Sequence, residues 1–247
     1  MMTVDPSAIR PSPSIEGLQA KIKDIALEAG AIKVGFAKLE PLESLQVGDP
    51  AVFHYPSAVS FAMDLPEEDV RKSLSSPSVE MRSAYVICNK KLKAAADRIQ
   101  EILVDAGYKA RFVDPSQRLV PEKLLGAISH KAVARLAGLG YIGKNGLLLI
   151  DGYGPRNRMG TILTDMPVTE TATPRDNECG DCTACIDNCP MKVLKQSHTF
   201  FDYPTIRDMV IDWAKCGEYE KKLIGDGTVP EKACGRCIAR CPRSWDR

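Results

Sequence analysis

The chain has no long hydrophobic run. Across its 247 residues no apolar stretch approaches the roughly 18–20 residues that span a bilayer, so no membrane helix is expected. The opening MMTVDPSAIRPSPS has neither the basic start nor the apolar middle of an export signal, and the expected location is cytoplasmic. An excess of one charge is missing as well, since 33 Lys and Arg face 32 Asp and Glu. Nothing therefore points to a nucleic-acid footprint or a polybasic membrane anchor. Cysteine is scarce through the front of the chain, where Cys88 stands alone.

What is present is an ordinary globular composition, 44% hydrophobic and 26% charged, long enough for one large domain or two modest ones. The other eight of the nine cysteines lie between Cys179 and Cys241. An odd count in a long chain without an export signal argues against a disulfide scaffold. The distribution reads as a metal-cluster module attached to a larger domain.

Residues 1–14, with three prolines and three serines, read as a flexible arm. In the helix expected over Ile15–Ala29, Leu18, Ile22, Ile25 and Ala26 share one face, and Gly30 stops it. Strands are expected at Ala31–Ala37, Ser57–Asp64, Tyr108–Val113, Gly146–Ile150 and Met159–Thr164. One long helix, or two in succession, should cover Val79–Asp105, and Ser129 is available to cap a short helix up to Ala137. Alternating helices and strands predict an α/β layered domain over 15–168. The polar stretch 167–178 reads as a boundary, leaving 169–247 as the cysteine-rich module.

Within that module CTACIDNCP is echoed by CGRCIARCP. The first group is Cys179-x2-Cys182-x2-Cys185-x3-Cys189-Pro190; the second is Cys234-x2-Cys237-x3-Cys241-Pro242. A cubane iron–sulfur cluster takes three thiolates from one tight loop and the fourth from the other group's Cys-Pro. One [4Fe–4S] cluster would then take Cys179, Cys182, Cys185 and Cys241, and the other Cys234, Cys237 and Cys189. Glu231 stands where a regular C-x2-C-x2-C run would place its first cysteine, so Cys216 is left to complete the second set, on a loop over 212–228 folded back across it. Four cysteines in eleven residues are crowded for zinc, which favours separated pairs; a single cluster plus zinc is the alternative. Arg236, Arg240 and Arg243 beside the ligands read either as charge compensation or as solvated surface.

Gly138, Gly140 and Gly143 form G-x-G-x-x-G, but a dinucleotide site needs a strand before it and a helix after it. Here the order is reversed, and no acidic residue follows at about 20 positions. Farther on, Arg156 and Arg158 lie on a Gly/Pro loop between two apolar strands, where they could offer paired donors to an anion or form a solvated hairpin.

AGLGYIGKNGLLL, YGPRNRMGTILTDMP and CGDCTACIDNCPMKVL, in that order, resemble the corrinoid-dependent iron–sulfur reductases, which comprise epoxyqueuosine reductases and reductive dehalogenases. The resemblance covers Ser129 to the C-terminus well and the front of the chain more weakly. It implies an α/β (α+β) nitroreductase-like layered domain holding base-off cobalamin, followed by a small ferredoxin-like domain with two [4Fe–4S] clusters. Electrons would pass through the clusters to cobalt and on to substrate. Gly138, Gly140, Gly143, Lys144, Asn145, Arg156 and Arg158 would then line the corrinoid or substrate pocket. The epoxyqueuosine reductases place an aspartate proton donor ahead of the glycine-rich segment; Pro121–His130 here offers Glu122 and no aspartate. The chain also ends after the second Cys-Pro, as a short divergent member would.

Three side chains near that segment are candidate proton donors: His130, with a pKa near neutrality, and Tyr141 and Tyr153, which could also stack on a flat macrocycle. For each, plain structural packing is the competing reading. Cys88 is expected to be a small buried apolar residue. The partners expected are a small-molecule substrate or corrinoid and an electron donor such as a ferredoxin or flavodoxin. The rival functions are an electron-transfer protein serving a corrinoid protein, and a flavin-dependent reductase on the same fold.

Overall fold

Ser14 caps the first helix. Its hydroxyl accepts the N–H of Gly17 at 3.1 Å and starts helix α1, Ile15–Glu28, whose buried face is Leu18, Ile22, Ile25 and Ala26. The computed structural model describes residues 14–169, 172–195, 210–225, 227 and 230–246. All but the last residue of the expected arm lies outside these.

Strand β1 (Ala31–Lys38) pairs antiparallel with β2 (Ser57–Asp64). The short helix α2 (Glu67–Arg71), absent from the sequence expectations, follows. Next comes one unbroken helix, α3 (Val79–Asp105), capped by the Ser78 hydroxyl. Its buried Leu92, Ile99 and Leu103 each stabilise by about 1.5–3 kcal/mol through area removed from water. Strand β3 (Ala110–Val113) leads through loops to α4 (His130–Leu136), where Ser129 is the cap. Two minimal strands, β4 (Tyr141–Ile142) and β5 (Leu148–Leu149), pair with each other. The last strand of the domain is β6 (Asn157–Thr164).

The sheet order is β1-β2-β6-β3, and every pairing in it is antiparallel. The layering is therefore of the α+β kind: a mixed fold with no parallel crossover pair. The period of two along β2 sorts the core. Val59, Phe61 and Met63 face α1 and α3, while Ala58 and Ala62 face α4. The run over 146–150, expected as a buried strand, contributes only its two-residue hairpin arm and stays out of the main sheet. There Ile150 turns back to donate to Gly154 O.

Among its described residues the cysteine-rich part adds three α-helices: α5 (Ala184–Asp187), α6 (Trp213–Ile224) and α7 (Arg236–Ala239). It docks on the start of α3. Ser78 and Ala233 exchange backbone hydrogen bonds at 3.0 Å. Arg236 donates to Ser75 O at 3.0 Å and Arg240 to Leu74 O at 2.8 Å. Those two arginines tie the parts together, whereas Arg243 keeps an exposed side chain.

Candidate functional site

The two cysteine half-repeats fold alike, each ending in a one-turn helix, and α5 touches α7. This contact interleaves their sulfurs. Burial pushes Cys185 up to about 12, with Cys241, Cys179 and Cys182 as its next influences. Burial also raises Cys241 to about 11, again with Cys179 and Cys182 beside it. The other four thiols neighbour one another. Burial raises Cys216 to about 11, and Cys234 and Cys189 add to the effect. Cys237 is pushed up by burial and then by Cys234, Cys216, Cys185 and Cys189. By these neighbours the thiols sort into Cys179, Cys182, Cys185 and Cys241 on one side and Cys189, Cys216, Cys234 and Cys237 on the other. Cys185 lies close enough to Cys237 to couple them.

The sulfurs are also supplied with donors. Lys144 N–H reaches Cys179 Sγ at 3.5 Å, Arg236 N–H serves Cys234, and the N–H groups of Arg243 and Ser244 serve Cys241. Such contacts stabilise thiolates and reduced clusters. Among the described residues no three His, Cys, Asp or Glu side chains close to single-ion spacing. Around zinc that spacing puts sulfurs within about 4 Å of one another, and the corners of a cubane lie farther apart. The eight cysteines fit two clusters. Cys216 reaches its tetrad from helix α6, not from the loop expected over 212–228. The Asp212 carboxylate caps that helix by accepting Lys215 N–H at 3.0 Å. Thr228, the far end of the expected loop, lies outside the described residues.

A cavity of about 540 Å³ separates the second tetrad from the α+β domain, within the roughly 300–1,000 Å³ usual for ligand sites. Cys189, Cys216, Cys234 and Cys237 form one wall, while Tyr85, Asn89, His130 and Arg158 stand opposite. Arg158 is held rigidly: Nε donates to Asn89 Oδ1 at 2.8 Å and Nη2 to Pro115 O at 2.9 Å. Its guanidinium lies 5.4 Å from the Tyr85 ring centre. Asn145 spans the two parts, donating to Cys237 O at 3.2 Å and accepting Leu147 N–H at 3.1 Å. Burial raises the Glu220 carboxyl, which accepts Cys234 N–H at 3.1 Å.

Of the residues the sequence nominated outside the cysteines, His130, Asn145 and Arg158 line this cavity. His130 Nδ1 and Thr161 Oγ1 are 2.8 Å apart. Burial, then the Arg158 charge, depresses its pKa to about 3. The imidazole is neutral near pH 7, which corrects the near-neutral pKa expected of it. Tyr141 and Tyr153 are not among the lining residues. Tyr141 lies beside the first tetrad under the Arg175 guanidinium, 5.2 Å from its ring centre, and burial raises it to about 12.

Gly138, Gly140 and Gly143 serve close packing rather than the cavity wall. A Cβ at Gly140 would stand 1.9 Å from Leu149 O, and one at Gly143 would stand 3.3 Å from Cys179 Sγ. Lys144, expected to line the corrinoid or substrate pocket, hydrogen-bonds through Nζ to Gly180 O and Cys182 O. Arg156, expected to present donors to an anion, is fully buried and ion-paired with Asp64 at 2.8 Å. Glu122 is exposed and away from the cavity. Cys88 is buried as expected, its thiol donating to Asp64 O at 3.2 Å. Tyr85 and Asn89 were not singled out from the sequence. They lie one position C-terminal to the buried Ala84 and Cys88, on a stripe beside the core face.

No family model matches the chain. An epoxyqueuosine reductase of Aliivibrio fischeri is 28% identical over 204 residues, 78% of this chain and 47% of that protein. One of Lactococcus garvieae is 40% identical over 166 residues, 63% of this chain and 40% of that protein. The chain therefore spans less than half the length of these two relatives. Among solved structures, a reductive dehalogenase whose description concerns B12-dependent dehalogenation matches with TM-score 0.71 at 21% identity. That match covers all of this chain and 33% of the other, and it speaks to fold alone. In sequence the chain is similar to the epoxyqueuosine reductases, and in fold it is similar to a reductive dehalogenase.

Proposed function

We propose that the protein is an iron–sulfur reductase. Two [4Fe–4S] clusters, one on Cys179, Cys182, Cys185 and Cys241 and the other on Cys189, Cys216, Cys234 and Cys237, pass electrons from a small redox partner into the cavity. The reading treats residues 15–168 as a nitroreductase-like domain and 169–247 as its ferredoxin-like partner. The observation that carries it is the shared wall: the second tetrad and the Tyr85–Asn89–His130–Arg158 group line the same space.

An apolar floor of Leu147, Leu148 and Met159, with Asn145 and Arg158 fixed beside it, supports a corrinoid as the occupant. A bound corrinoid supplies the reductive chemistry on substrate. The chain's own side chains do the rest. Arg158, immobilised by Asn89 and Pro115, holds an acceptor group of the cofactor or of a small-molecule substrate. Neutral His130 offers a ring nitrogen with no buried charge. Asn145 keeps the Cys237 backbone against the cavity. The apolar floor limits water, which strengthens each of these contacts.

Anaerobic reconstitution with iron and sulfide, followed by titration with hydroxocobalamin, tests the proposal. About eight irons per chain and a corrinoid absorption change saturating at micromolar concentration are expected. A colourless zinc protein would overturn the cluster reading. Failure to bind corrinoid, or a yellow flavin-loaded protein as isolated, would overturn the corrinoid reading.

A further inference from the structure

Arg156 has no exposed surface, yet its guanidinium joins segments far apart in the chain. Nε donates to Ser244 O at 2.7 Å, and Nη1 donates to Asp64 Oδ1 at 2.8 Å and to Leu65 O at 2.9 Å. Asp64 ends β2, in the sheet. Ser244 lies just past Cys241, in the turn whose N–H groups serve that sulfur. The same turn is pinned from two other sides. The Ser244 hydroxyl donates to Ile238 O at 2.7 Å. The backbone at Gly154 lies so near that a Cβ there would stand 2.5 Å from the Arg243 carbonyl. Trp245 closes the cluster of contacts, with the Arg71 guanidinium 4.1 Å and that of Arg156 5.9 Å from its ring centre.

A buried ion pair adds little net stability, because desolvation roughly offsets the attraction. What it fixes is position. Nε and Nη1 reach different acceptors in one plane, which lysine cannot reproduce with a single ammonium. The hydrogen bonds at a cluster sulfur set much of its reduction potential, and those at Cys241 come from the turn that Arg156 holds.

We infer that Arg156 is a positioning residue for the first cluster: by anchoring the Ser244 carbonyl to the end of β2 it fixes Cys241 and its N–H···S bonds, and thereby that cluster's potential. This rests on the two-cluster reading above. Arg156→Lys, Arg156→Gln and wild-type protein are reconstituted anaerobically, and each cluster's midpoint potential and electron paramagnetic resonance signal are recorded. Cys241→Ser identifies the signal of the first cluster. Arg156→Lys should lower the first cluster's potential and shift its signal while the second stays put, and Arg156→Gln should lose up to half the iron. Wild-type protein lacking two clusters sinks the function proposal and this one with it. Two clusters in wild type, with both or neither moved by Arg156→Lys, overturns the positioning role. Gly154→Ala presses on the same turn from its backbone and serves as the second variant should Arg156→Gln fail to fold.

Discussion

Gly35→Ala probes how helix α4 is seated. Gly35 sits in β1 opposite Ser60, beneath the C-terminal end of α4. A Cβ there would stand 2.1 Å from Ala137 O and 3.0 Å from Leu139 Cδ1, where ordinary contact begins near 3.4 Å. Helix and strand must separate by about 1.3 Å to admit it. A gap of about 0.5–1 Å already forfeits a quarter to a half of each dispersion contact, and Val133, Ala134 and Leu139 are fully buried at this contact. Overpacking of this kind costs about 1–3 kcal/mol, and the clash is with backbone, so the upper end applies. Reduced freedom of the unfolded chain returns about 0.4–1 kcal/mol. The expected net loss is about 2 kcal/mol, read from the urea midpoint at unchanged slope. His130, at the other end of α4, should lift from Thr161 and move its NMR-measured pKa upward toward 6.5. A variant within about 0.5 kcal/mol of wild type, with its His130 titration unmoved, would refute the argument.

Three further outcomes are expected. His130 titrates at about 3 folded against 6.5 unperturbed, so between those values the unfolded chain binds more protons. Stability should fall as pH drops below 6.5, and His130→Gln should flatten that slope in urea melts from pH 7 to 4. Cys216→Ser should cut reconstituted iron from about eight to about four per chain, measured colorimetrically; full retention would remove Cys216 from the ligand set. Ser78→Ala removes the acceptor for Met81 N–H at 3.1 Å and the partner of Ser73 Oγ at 3.1 Å. It should cost about 1–2 kcal/mol by thermal or urea melting.

Much of the framework was legible because it is local. The alternation along Ser57–Asp64 and the apolar face of α1 are short-range patterns, and both elements fall where periodicity places them. The hydroxyl at Ser129 signals its own helix. Cys-Pro spacing likewise marks the two cysteine groups along the chain. What escaped depends on distant partners. An arginine in a Gly-Pro loop reads as surface until Asp64 and Ser244, 92 and 88 positions away, close around it. Tyr85 and Asn89 acquire a cavity only when the cysteine-rich part docks on α3. Helix α6 is readable from the Asp212 cap and the run that follows, whereas the need for a fourth ligand carries no information about secondary structure.

The exchange of sulfurs between the half-repeats has a topological consequence. In the proposed ligand sets each tetrad borrows a thiol from the other half, so the two sites would be linked like links in a chain and neither would be self-sufficient. Removing everything after residue 230 would strip Cys241 from the first tetrad and Cys234 and Cys237 from the second. A break in the tail thus disables both sites together.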